Sequence, residues 1–128
     1  MYQPMKILLV DESAEDRARV RKKLKDAEPD AVLLETDSFA EARVIANEER
    51  PDIMVIEIVA GRGFRPGMQL VSGMRETHPQ MPIIIYSRET MTGIAEAAVK
   101  LGAMAFVPKS SGVPNELTDT VRAYALPH

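Results

Sequence analysis

The sequence predicts a doubly wound α/β domain in which five parallel strands alternate with five helices. Three observations carry the prediction. Short apolar runs recur at 6–10, 31–35, 53–57, 82–86 and 104–107, rich in Val, Ile and Leu, most without polar alternation. That is the look of strands buried on both faces of a parallel sheet. The segments between the runs are each long enough for one helix and carry helix start and stop residues. Finally, 128 residues with 45% hydrophobic content suit one core of ordinary domain size. A single domain over 1–128, without an output domain, is therefore expected.

Taken in order, the first helix opens at Ser13, which with Asp16 resembles a capping box with Asp in place of Glu, and it turns Val20 and Leu24 to one face. The second begins near Ser38 and aligns Phe39, Ala42 and Ile45 or Ala46. Pro66 and Gly67 open the third, which carries Met68, Val71 and Met74 inward and closes at His78, because a residue before proline avoids the αR region. Ile94, Ala97, Ala98 and Leu101 mark the fourth, ended by Gly102. Pro114 suits the first turn of a fifth, which carries Leu117, Val121 and Tyr124. Alternating strands and helices give right-handed crossovers, and five strands in this length favour the flavodoxin-like order 2-1-3-4-5.

Composition removes several function classes. There is no cysteine, hence no disulfide framework, thiolate catalysis or Cys-ligated metal, and two histidines cannot build a His-rich metal site. A net charge of −3 gives no global attraction to nucleic acid or an anionic membrane, and no apolar run reaches the length of a membrane span. A cytoplasmic location is expected. The residues after the first strand lack the glycines of a dinucleotide fingerprint.

In open α/β sheets ligands bind beyond the carboxyl ends of the strands, at the point where the strand order reverses. Those ends deliver Asp11 and Glu12, Glu57, Ser87 and Lys109. Carboxylates so close raise one another's pKa unless a cation intervenes, which invites Mg²⁺ at Asp11, Glu12 and Glu57. Lys109 is a second cation able to pair with a carboxylate or a phosphoryl group, and Ser87 can donate to the same oxygens.

From Met5 to about Ala125 the chain resembles the receiver domain of bacterial two-component response regulators, of the single-domain chemotaxis type. The resemblance lies in segments 6–12, 51–57, 82–87 and 102–109. It implies a role for Asp11 and Glu12 in holding Mg²⁺, for Ser87 and Lys109 in gripping a phosphoryl group, and for Phe106 as the aromatic switch residue. It also implies a regulatory interaction module, not an enzyme, whose partner is a histidine kinase, a phosphotransfer protein or an effector. A homodimer through the fourth-helix to fifth-helix surface is implied in the same way. The ending at 107–111 resembles receivers that precede a helix-turn-helix domain, so the receiver portion of a DNA-binding regulator is an alternative.

Glu57 stands where the family has its phospho-accepting aspartate. The extra methylene moves the carboxylate outward by about 1.5 Å, and phosphoryl transfer depends on in-line positioning. Ordinary phosphorylation is therefore not expected, although a phosphorylation-competent site with Mg²⁺ remains the alternative. Glu57 is either a mimic of phosphate that reaches Ser87 and Lys109 or an inert replacement on a docking scaffold. Glu12 lengthens a metal ligand in the same way. The loop after the third strand is about two residues longer than the family's usual connection, and its Arg62 or Arg65 could neutralise the acids in place of a metal; a solvated loop is the plainer reading. The basic run at 17–25 reads as a solvated helix face or a dock for an acidic protein, and His78 as an ordinary surface residue. Met91 and Met104 lie where receivers meet partners.

Overall fold

The computed structural model describes residues 3–61 and 63–125. Ten elements alternate as expected: β1 (Lys6–Val10), α1 (Ala14–Ala27), β2 (Val32–Thr36), α2 (Phe39–Glu49), β3 (Ile53–Ile56), α3 (Arg65–Thr77), β4 (Ile83–Ser87), α4 (Ile94–Leu101), β5 (Ala105–Pro108) and α5 (Glu116–Tyr124). All strand pairs are parallel, and the sheet order is β2-β1-β3-β4-β5. The predicted fold class and strand order hold, with no strand end displaced by more than one residue.

The sheet separates two apolar layers. Leu8, Val10, Met54, Ile56, Ile83 and Ile85 face α2, α3 and α4. Ile7, Leu9, Ile53, Val55, Ile84 and Tyr86 face α1 and α5. This two-residue alternation fixes which helices each strand-end residue meets. The central strands β1, β3 and β4 are buried almost throughout, whereas Val32 on β2 is 38% exposed. Burial on both faces thus fails at the edge strands β2 and β5, where fewer helices cover the sheet.

Helix termini follow the local chemistry. The Ser13 side chain accepts the Asp16 N–H at 3.2 Å and the Ser38 side chain accepts the Glu41 N–H at 3.1 Å, each satisfying an orphan donor. The capping box at α1 is only half formed, because the Ser13 N–H donates to Asp11 Oδ1 at 2.9 Å. The Asp16 carboxylate is left for another task. Gly102 ends α4 at φ +125°, where a Cβ would also stand 2.6 Å from the Arg75 side chain. Gly67 lets α3 lie directly on the chain leaving β3, since a Cβ there would come within 2.4 Å of the Ile58 carbonyl oxygen.

Two helix expectations are corrected. In α4 only Ile94 and Ala98 are buried, while Ala97 and Leu101 face outward. Two turns offer a narrow stripe, and residues four apart fill it. The fifth helix starts at Glu116 after Asn115 in the left-handed region, which leaves Pro114 outside it. Tyr124 is 41% exposed. Among the described residues no helix is long and apolar enough to cross a membrane.

Candidate functional site

The strand ends gather a buried ionic cluster around one ammonium. Lys109 Nζ, just past β5, donates to Asp11 Oδ2 at 2.8 Å and to Asp16 Oδ2 at 2.8 Å, and stands 3.3 Å from Glu57 Oε1. The Lys109 side chain is 14% exposed, against 4% for Asp11 and 2% for Glu57, so solvent screens this cluster poorly. Parity explains its membership. Asp11, Glu57 and Lys109 continue the alternate rows that face α1 and α5, and α1 supplies Asp16. Ser87 continues the opposite row of Ile83 and Ile85. Its Oγ accepts the Glu89 N–H at 3.0 Å and thereby folds the β4–α4 loop.

Glu57 is held from three sides. Oε1 accepts the Arg88 N–H at 2.9 Å in addition to facing Lys109, and Oε2 accepts the Val59 N–H at 3.1 Å. Asp11 is equally committed, since Oδ1 takes the Ser13 N–H while its carbonyl oxygen accepts from Arg17 Nη1 at 2.6 Å.

Burial opposes the Lys109 charge, but hydrogen bonds to Asp11 and Asp16 and the charges of Glu57 and Asp11 outweigh it and hold the ammonium above the usual lysine range. At Asp16 the hydrogen bond from Lys109 dominates a smaller burial penalty, and the charges of Lys109, Arg19 and Arg88 add to it, so the carboxyl sits below its usual range. Beneath the cluster lies the Tyr86 ring. Lys109 Nζ is 5.8 Å from its centroid and Lys23 Nζ 5.6 Å, and Lys23 also donates to the Tyr86 hydroxyl at 3.1 Å.

Of the expected site residues, Asp11, Glu57 and Lys109 meet, whereas Ser87, the last residue of β4, lies on the opposite row and accepts the Glu89 N–H instead of joining them. Glu12 does not join. It is exposed, and its Oε1 accepts the Gly61 N–H at 2.6 Å. Ala60 and Gly63 exchange backbone hydrogen bonds at 3.0 and 3.2 Å around Gly61, so Glu12 clips a short hairpin after β3. Arg62 lies outside the described residues, and Arg65 is exposed in the first turn of α3. Lys109 takes the neutralising part offered to those arginines. Phe106 is half-buried against the α2–α4 layer and lines a cleft with Met91 and Ile94.

Sequence reasoning missed Asp16 and Tyr86. The sequence pairs Asp16 with Ser13 as a capping box and gives Tyr86 no role beyond its strand, yet Tyr86 points to the α1 face. The basic run of α1 is largely neutralised in place: Arg17 and Arg21 pair with Glu35, Arg19 with Asp16 and Glu15, and Lys22 with Asp26.

The divalent ion implied by the resemblance is not matched by this arrangement of donors. Asp11 and Glu57 both turn an oxygen to the Lys109 ammonium, Glu12 is turned to the loop, and among the described residues no three His, Cys, Asp or Glu side chains are grouped to hold a metal.

Comparison with known proteins agrees with this architecture. The chain is similar to a protein-glutamate methylesterase/protein-glutamine glutaminase of Methanococcoides burtonii, 32% identical over 126 residues, covering 92% of this chain and 35% of that protein. It is also similar to the photosynthetic apparatus regulatory protein RegA of Cereibacter sphaeroides, 30% identical over 118 residues, covering 91% of this chain and 61% of RegA. It thus spans less than two thirds of the length of these relatives. Among solved structures, a LuxR-family two-component response regulator from Aurantimonas sp. SI85-9A1 superposes with a TM-score of 0.82 at 26% identity, over 94% of this chain and 84% of that one. Chemotaxis protein CheY4 of Vibrio cholerae shares the fold with a TM-score of 0.81 at 22% identity, over 95% and 99% of the two chains. The family model described as the response regulator receiver domain matches residues 7–122, and the chain belongs to that family.

Proposed function

We propose that this receiver works as a docking module for a signalling protein, held in one pre-set state without aspartyl phosphorylation. The observation that carries the reading is Glu57. At the acceptor position a carboxylate must present a free oxygen in line with the incoming phosphorus. Here one Glu57 oxygen takes Lys109 and the Arg88 N–H and the other takes the Val59 N–H, inside a site that excludes most water. Attack would require breaking contacts that are strengthened by their low-dielectric surroundings.

The same contacts favour Glu57 as a functional substitute for phosphate over an inert replacement. Its carboxylate engages Lys109, the cation expected to grip a phosphoryl group, and it fixes the first amide of the β4–α4 loop, next to Ser87 and its bond to Glu89. Partners of the expected class, a kinase, a phosphotransfer protein, an effector or a second copy, would meet the loop and the adjoining surface of Met91, Val99 and Met104, each about half exposed. The names of the relatives, a methylesterase and a regulatory protein, support an effector domain or effector protein as the thing regulated.

Incubating the protein with acetyl phosphate and Mg²⁺ and weighing the intact chain tests the reading. No gain of mass is expected, and a stoichiometric gain of one phosphoryl group would overturn it.

A further inference from the structure

The disagreement between the site and the metal expected in it has a positive counterpart in Asp16 and Tyr86. We propose that the Lys109 ammonium, fixed by Asp16 and Tyr86, is the built-in counter-ion of this crevice and takes the place of Mg²⁺, so that the site is set independently of divalent metal. The proposal goes beyond the phosphorylation reading, which concerns the acceptor alone.

Three observations support it. Lys109 reaches three carboxylates at 2.8, 2.8 and 3.3 Å, the coordination demand that a divalent cation would otherwise meet. The third acid, Asp16, comes from α1 and is available because the Ser13 N–H is satisfied by Asp11 instead. With Asp11 on one side and Asp16 on the other, the ammonium is held at two points as well as facing Glu57. The Tyr86 ring supports it from the sheet side, and Lys23 fixes that ring through its hydroxyl. A Lys paired with a single acid could swing away when a metal arrives; one held at two further points must lose several charge-assisted hydrogen bonds first. Meanwhile Glu12, the other strand-end acid, is spent on Gly61.

Asp16 and Tyr86 are positioning residues in this account, because they act through Lys109. The counter-ion role also states what Lys109 leaves behind when it is removed. Asp11, Asp16 and Glu57 would then face the vacated space without a cation; as placed they do not form a metal site, but side-chain turns into that space would let a hard divalent ion relieve their mutual repulsion.

The test is a Mg²⁺ titration followed by amide NMR shifts and by thermal unfolding, with Ca²⁺-free buffer and matched ionic strength. In the wild type, the amides of Asp11, Glu57 and Arg88 should show no saturable shift, and the melting temperature no metal-specific rise, up to about 20 mM Mg²⁺. Lys109→Met should gain saturable shifts at those amides and a Mg²⁺-dependent rise in melting temperature, because metal now binds the folded chain selectively. Saturable wild-type shifts at Asp11 and Glu57 would overturn the proposal. So would a folded Lys109→Met chain that still ignores Mg²⁺. If that variant folds only with Mg²⁺, the exchange of one cation for the other is supported; if it folds under neither condition, the wild-type titration decides. This outcome is separable from the phosphorylation test, which reads mass and can fail or succeed whatever the metal does.

Discussion

Two regions of this domain are crowded with opposite charges, and they behave differently for one physical reason. Along α1, Arg17, Arg19, Arg21 and Lys22 find acidic partners at 2.7 to 3.9 Å, as close in several cases as any pair in the crevice. Yet Lys22 and Asp26 are 78% and 67% exposed, whereas Asp11 and Glu57 beside Lys109 are 4% and 2% exposed. Distance alone would rank the two regions together. Solvent separates the outer helix pairs from the crevice: water screens Lys22–Asp26 and Arg19–Glu15 and leaves those side chains free to trade partners, whereas Arg17–Glu35 is half-buried and the crevice groups lost most of their hydration on folding and depend on one another. The α1 run is conspicuous in the sequence and energetically minor; the crevice is four scattered residues and decides the state of the site.

The sharpest way to break this comparison is Lys109→Met in metal-free buffer. Removing one partner of a buried ionic cluster leaves the others uncompensated, and a loss of about 3–5 kcal/mol is expected by chemical denaturation. The wild-type cluster has its limit at alkaline pH. Its Lys109 is held above the usual lysine range, so its contribution is complete below that range and fades only as pH rises through the raised folded value. A Lys109→Met chain as stable as wild type would place the crevice with the surface pairs.

Asp16 lies between the two regions, on α1 by sequence and in the crevice by contact, with a side chain 23% exposed. Asp16→Asn keeps the size and removes the charge, and partial exposure limits the expected loss to about 1 kcal/mol at neutral pH. The sign with pH follows from its lowered carboxyl. The stabilisation is present above the ordinary carboxyl range and disappears as pH falls through it towards the lowered folded value, so the wild-type and variant curves should converge below about pH 4. Parallel curves throughout that range would remove Asp16 from the cluster.

How far these features were legible in the sequence follows the same division. Apolar runs and helix caps announced the fold, because burial and backbone satisfaction are local demands; Ser13 and Ser38 cap where their positions suggested. Strand ends announced Asp11, Glu57 and Lys109, because topology brings those ends together, but alternation along β4 sends Ser87 to the other face. Asp16 was hidden by competition for one N–H. The signal was Asp11 two residues before Ser13, a spacing that lets a carboxylate accept that N–H and release the capping acid. Tyr86 was hidden by an apolar strand whose alternation, counted from Ser87, already sends it to the α1 face. Glu12 was hidden because its partner, the Gly61 N–H, comes from the loop after β3, whose path the sequence does not show. In α4 the outward turn of Ala97 and Leu101 was invisible because alanine and leucine serve either face.

At the weak end of the comparison, Lys22→Ala should change stability by less than about 0.5 kcal/mol. Its pair with Asp26 spans one helical turn in solvent, with the basic residue on the amino-terminal side. That orientation sets it against the helix dipole, which favours acids near the start and bases near the end. What little the pair contributes should vanish in salt, since about 0.5 M lowers the Debye length to a few ångströms. The Lys109 cluster should keep its effect in the same salt, because ions cannot enter between groups already at 2.8 Å in a nearly closed site. Measuring both variants at low and high salt therefore separates the regions by screening alone. A Lys109→Met penalty that collapses in salt along with that of Lys22→Ala would mean the crevice is open to solvent ions, and its charges would then be too weakly coupled to hold Glu57 in one state.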